Sequence, residues 1–152
     1  MRRDYFTLEV DGGPGDGAKP VVTIEFIGPE GQFEDRLVDE SGATLDSKRI
    51  DVTYRLREGE MAPEATGVFA MTNRITGDYV FEVNVDGDAV LDLVHAAREY
   101  GKAAEIDDGR YQVAILAGDR QIASYDKSTF LVYDPDGELL RQHSLIPSGV
   151  EL

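Results

Sequence analysis

The sequence predicts an α+β fold: a mostly antiparallel sheet of about eight to ten short strands, with one amphipathic helix covering one face. Three observations lead there. Apolar and polar residues alternate in several short runs, which is the period of a half-buried strand. One segment, at about residues 88–100, instead repeats its apolar residues at the helical period. Gly, Pro, Asp and Asn punctuate the remainder at short intervals, so the strands must be short and joined by turns.

Tyr5–Val10 places Phe6, Leu8 and Val10 on one side of a first strand. Residues 11–19, with four Gly and one Pro, form a flexible loop. Pro20 opens a second strand, Val21–Ile27, apolar enough on both faces to lie inside the sheet. Two readings compete over residues 29–47. Phe33 and Leu37 are spaced for one helical turn, whereas Asp39-Glu40-Ser41-Gly42 suits a hairpin turn between Arg36–Val38 and Ala43–Leu45. Ile50–Arg57 has a dry face of Ile50, Val52, Tyr54 and Leu56 and a wet face of Asp51, Thr53, Arg55 and Arg57. After a loop over 58–65, Gly67–Met71 and Tyr79–Val85 form a hairpin across residues 73–78.

The helix comes next, with Asp86 or Asp88 as N-cap and Gly101 where a left-handed C-cap belongs. Val90, Leu93, Val94, Ala97 and Tyr100 gather on one face, and Asp88, Asp92, His95 and Glu99 on the opposite one. Tyr111–Leu116 and Gln121–Tyr125 are strands about a turn at 117–120. A last hairpin joins Thr129–Tyr133 to Glu138–Leu145 through Asp134-Pro135-Asp136-Gly137, whose Pro and Gly suit a type I turn. Thr76–Phe81 and Asp108–Val113 share a Gly-x-Tyr opening, a weak hint of duplication, since many strands begin so.

At 152 residues the chain is expected to form a single domain over 1–152. Its 30 acidic residues against 15 Lys plus Arg give a net charge of −15. Eleven of the bases are Arg and only Lys19, Lys48, Lys102 and Lys127 are Lys. Such a chain repels itself in dilute salt, and the penalty shrinks as the Debye length falls to ~3 Å at 1 M salt. The composition therefore reads as adaptation to a salty cytoplasm before it reads as a binding surface. Nucleic acid is disfavoured as a partner, because phosphate binding needs clustered bases and only Arg2-Arg3 and Lys48-Arg49 are doublets. The absence of Cys excludes a disulfide scaffold, thiol catalysis and a cysteine-ligated metal. No apolar run approaches the ~20 residues of a membrane span, and none follows Arg2-Arg3 as a signal segment would. A soluble, cytoplasmic protein without membrane contact is expected.

Three constellations could carry chemistry. Alternating acids from Asn84 to Asp92 resemble the start of a calcium loop, but the sixth and twelfth positions, which need Gly and Glu, hold Ala89 and His95. A strand-to-helix turn with an Asp cap explains the same residues. The stripe Asp88, Asp92, His95 and Glu99 has the spacing of helix-borne metal ligands, and equally that of a solvated face. In the C-terminal run, strand alternation puts Arg141 and His143 on one side and Ser144 on the other, so His143 and Ser144 cannot pair as base and nucleophile. Arg141 and His143, with Lys127, could bind a small anion; a cross-strand ion pair with Glu138 is the plainer use. No phosphate loop, dinucleotide fingerprint, nucleophile elbow or His-Glu-x-x-His occurs, and no cofactor is implied.

Three stretches carry a resemblance: Met1-Arg2-Arg3-Asp4-Tyr5-Phe6; Thr72–Asp78 with Ala96–Gly101; and Lys127–Tyr133 through Ser144–Leu152. Together they resemble a small family of uncharacterised haloarchaeal proteins, a domain of unknown function. The resemblance spans the chain and implies a habitat, with no activity or catalytic residue. The function expected is a small non-catalytic binding or protein-interaction module adapted to high salt. The apolar tail Leu145–Val150 would dock on the sheet or on a second copy, as a homodimer, or on a protein partner. The competing expectation is a metal-binding protein or small enzyme using carboxylates and His95.

Overall fold

A computed structural model describes residues 3–12, 18–29, 31, 33–106 and 108–147. Among these, eight segments are strands: β1 (Phe6–Asp11), β2 (Val21–Phe26), β3 (Ile50–Leu56), β4 (Thr66–Asn73), β5 (Tyr79–Asp86), β6 (Tyr111–Ala117), β7 (Arg120–Lys127) and β8 (Leu131–Tyr133). A helix, α1 (Gly87–Ala103), runs between β5 and β6. The strands form two four-stranded sheets, ordered β1-β2-β6-β7 and β5-β4-β3-β8. The α+β class holds, but the expected single sheet is corrected to two. Alternation shows that a strand has one dry face without showing which sheet it joins. Four of the pairings are antiparallel and two, β2–β6 and β3–β8, are parallel.

Both sheets contribute to one core. Rings link them in series: Phe26 to Phe6 at 5.2 Å, Phe6 to Phe81 at 5.4 Å, Phe81 to Phe69 at 6.2 Å, Phe69 to Phe130 at 5.6 Å, and Phe130 to Tyr111 at 6.2 Å. The series crosses from one sheet to the other twice, directly from Phe6 to Phe81 and, by way of Phe130, from Phe69 to Tyr111. Such contacts add about 0.5–1.5 kcal/mol each beyond the burial of the rings.

The helix begins as expected after an extended Asp86, and Asp88 Oδ1 accepts from the Ala89 amide at 2.9 Å. Val90, Leu93, Val94 and Ala97 are buried in the shared core. The end differs. Gly101 is an interior helical residue, Ala104 is the C-cap, and the left-handed residue is Glu105, with φ 57°. Glycine is needed at 101 for space: a Cβ there would lie 2.5 Å from the Asp108 carbonyl oxygen.

Over residues 29–47 the two competing readings both hold in part. Glu34–Leu37 is a 3-10 turn, and Val38 then bridges Thr44 across a turn in which Asp39 Oδ1 accepts from the Ser41 amide and hydroxyl and the Ala43 amide. The predicted strand Glu138–Leu145 is corrected. Tyr133 bridges Leu139 and Phe130 bridges Leu145, but a 3-10 turn, Arg141–His143, interrupts the segment between them. The Asp134–Gly137 turn is present, closed by Gly137 N donating to Asp134 O at 3.0 Å. Leu145 is buried and Ile146 and Pro147 are half-buried, so the apolar tail packs on the fold to that point. Residues 148–152 and 13–17, which hold the tail's last three residues and most of the predicted loop, lie outside the described residues.

Candidate functional site

The pleat of β3 buries Ile50, Val52, Tyr54 and Leu56 and turns Thr53 and Arg55 outward. Register then assembles a surface around them. Thr53 faces Ala70 on one side and Leu131 on the other, and Arg55 faces Val68 and Tyr133. The next strand sets Glu82 opposite Ala70 and Asn84 opposite Val68. Arg3, from the 3-10 turn before β1, and Arg57, just past β3, complete the rim. The result is an open groove of about 650 Å³ on the outer face of the second sheet, with three arginines against one glutamate.

The arginines are held by light contacts. Arg55 Nη2 donates to the Pro135 carbonyl at 2.8 Å, Arg57 Nη2 donates to Asn84 Oδ1, and Arg3 Nη2 pairs with Glu82 at 3.4 Å. A guanidinium carries five N–H donors, and these bonds engage a single nitrogen of each. The groove can therefore still take carboxylates or carbonyls.

A second groove of about 620 Å³ adjoins the first and shares Tyr79 and Glu82 with it. Its charge is opposite: Asp35, Asp78 and Glu82 outnumber Arg36, whose Nη1 donates to the Tyr79 carbonyl at 3.2 Å. Tyr79 stands between the two grooves and is 53% exposed. Val38, at 38%, lines the acidic groove, and Ile75, at 67%, occupies the turn between its residues Asn73 and Thr76. Only two other large hydrophobics among the described residues, Ile27 and Ile106, are comparably exposed. A basic groove and an acidic groove thus meet at Tyr79, with Val38 exposed in the acidic one.

The side chains singled out from sequence lie elsewhere. Asp88, Asp92, His95 and Glu99 are all exposed along α1, and Glu99 pairs with Lys102 at 3.7 Å. Among the described residues no three His, Asp or Glu side chains are grouped so as to hold a metal ion. Lys127 is only 9% exposed, and its Nζ donates to the carbonyls of Ser47 at 2.8 Å and Ile50 at 2.7 Å. Burial pushes its pKa down, and the Arg74 charge adds to the shift against Asp51 and Asp46. Arg141 and His143 lie in the last 3-10 turn. His143 and His95 line one cleft of about 490 Å³ with Asp92 and Arg98. Arg98 Nη2 donates to the carbonyls of Gln142 and Ser144, at 3.0 and 2.9 Å, which ties the C-terminal segment to α1.

The model of a family of unknown function, DUF5793, matches residues 1–152. The chain belongs to that family. Neither a curated protein nor a solved structure matches the chain. The function of the DUF5793 family is unknown, so the match assigns this chain no activity. No helix among the described residues is long and apolar enough to cross a membrane.

Sequence reasoning placed Arg55 and Arg57 on a wet strand face, which was the available signal. It had no means to bring Arg3 and Tyr133 beside them. Tyr79 arrives through the β4–β5 hairpin, which the sequence did suggest. Arg3 arrives through its turn's contact with Glu82, and Tyr133 through the parallel β3–β8 pairing, and neither of these leaves a trace in local periodicity.

Proposed function

We propose that this chain is a small non-catalytic protein-interaction module adapted to high salt, and that its contact face is the pair of grooves flanking Tyr79. Tyr79 carries this reading: a tyrosine 53% exposed between a basic and an acidic groove, in a chain of net charge −15. Arginine and tyrosine are the residues enriched where protein interfaces concentrate their binding energy, because each offers large contact area with a directional polar end. Nucleic acid suits the face poorly, since a long polyanion would leave the three arginines and meet the acidic remainder of the surface. Eleven Arg to four Lys, with 30 acidic residues, supports a salty, haloarchaeal cytoplasm as the setting.

The test is site-specific photo-crosslinking in the native cells. A benzophenone amino acid placed at position 79 is expected to capture protein, and the same group at position 106, also exposed but outside both grooves, is not. Equal capture at the two positions, or none at 79, would remove the proposal's support.

A further inference from the structure

We infer that the partner received by this face is a second copy of the same chain, related by a two-fold axis passing near Tyr79. This rests on the interaction reading above and gives it an occupant. A two-fold contact places one surface against itself, so the surface must be self-complementary. A face of one charge sign fails that condition, because rotation would set like against like. Here the two signs lie side by side. The groove holding Arg3, Arg55 and Arg57 adjoins the groove holding Asp35 and Asp78. Rotation about an axis between them lays each basic groove on the other copy's acidic groove, twice over.

The apolar component fits the same geometry. Tyr79 lines both grooves and therefore stands where the axis must pass. Val38 is exposed on the acidic side of it, and Ile75 is exposed in the turn between Asn73 and Thr76, which line that groove. A tyrosine near the axis gives apolar contact at the centre with polar pairs around it, the arrangement of a stable interface. The whole-chain charge opposes association in dilute salt, since two copies at −15 repel. In 1 M KCl that repulsion is confined to ~3 Å, and paired groups in direct contact retain their attraction.

Sedimentation equilibrium in 1 M KCl tests this with two charge-reversed variants. In Arg55→Glu/Arg57→Glu both contacts become acid against acid; in Asp35→Arg/Asp78→Arg both become base against base. All four positions are solvent-exposed, and circular dichroism is the control that each variant folds. Wild type is expected to dimerise. Each variant alone is expected to dissociate at least tenfold more readily, and an equimolar mixture to recover dimer. Recovery occurs because one contact in the mixed pair is wild type and the other is reversed on both sides. Tyr79→Ala should weaken the wild-type dimer about tenfold. A wild type that stays monomeric, a dimer indifferent to the reversals, or a mixture that fails to recover would each overturn the two-fold pairing. If position 79 nevertheless captures a different protein in cells, the contact face survives and only its occupant changes.

Discussion

Lys127 lies on the same side of β7 as Tyr125, two residues away, and its ammonium ends among carbonyls instead of carboxylates. A buried charge without hydrogen bonds is severely destabilising, and two backbone acceptors at 2.7–2.8 Å supply part of what water supplied. Its job is structural: it fastens β7 to the start of β3. His143 is the other cation-forming side chain whose surroundings disfavour its charge, first by burial and then through the Arg98 guanidinium, which lower its pKa below the ordinary 6.5. The sign of the pH dependence follows. Between the folded and unfolded pKa values the unfolded chain binds the extra proton, so stability falls as pH drops below about 6.5 toward the folded value. We expect His143→Gln to remove that step, checked by urea unfolding at a series of pH values. An unchanged slope between pH 5 and 7 would show that His143 does not make it. His95 and Asp92, which share its cleft, remain in the variant and act as internal controls.

Among the elements, α1 was the most legible. Four of its seven buried residues, Val90, Leu93, Val94 and Ala97, and its Asp start could be read directly, because a helix declares itself within 17 consecutive residues. Tyr100, expected on the same face, is only half-buried, and Ala96 is buried beside that face. Its end could not, because Gly101 answers to a loop seven positions downstream and not to the local backbone angle. Gly87 behaves alike at the other end: a Cβ there would lie 2.0 Å from the Ala62 carbonyl oxygen. Substituting Ala in a helix ordinarily stabilises by about 1 kcal/mol over Gly. Overpacking against a fixed carbonyl costs about 1–3 kcal/mol, and at these distances it wins. Gly87→Ala and Gly101→Ala are therefore both expected to lower stability, Gly87→Ala more, as read by thermal unfolding; a gain in either would mean the neighbouring loop yields freely. The C-terminal hairpin was the least legible element. Arg141 and His143 alternate as a strand would, yet Ser144 donates its hydroxyl to the Leu140 carbonyl and accepts from the Val132 amide, which closes a tight turn in place of a ladder. The grooves around Tyr79 were illegible for a related reason. Consecutive strands β3, β4 and β5 supply most of the basic groove's strand residues, but Arg3 and Tyr133, Pro135 and Gly137 join them only from the far ends of the chain.

For the molecule as a whole, charge decides the response to solvent. Seven ion pairs join described residues, and most of their members are well exposed, each worth about 0–1 kcal/mol. Fifteen uncompensated negative charges outweigh them as a source of salt dependence. The unfolding midpoint should rise steeply between about 0.1 M and 2 M KCl as the screening length contracts. Equal midpoints at the two concentrations would detach the composition from salt adaptation.

The two parallel pairings also set the order in which the chain can assemble. Val21 meets Gln112 and Thr53 meets Leu131, so each closure spans most of the polypeptide, whereas the hairpins close over a few residues. Hairpins form in microseconds, and closures of high contact order govern the overall rate. On a ribosome, β3, β4 and β5 emerge together and can pair at once, but β2 must wait for β6, and β3 keeps an open edge until β8 is synthesised. That edge, bared while the rest of the domain is already made, is where a nascent chain is most exposed to pairing with the wrong strand.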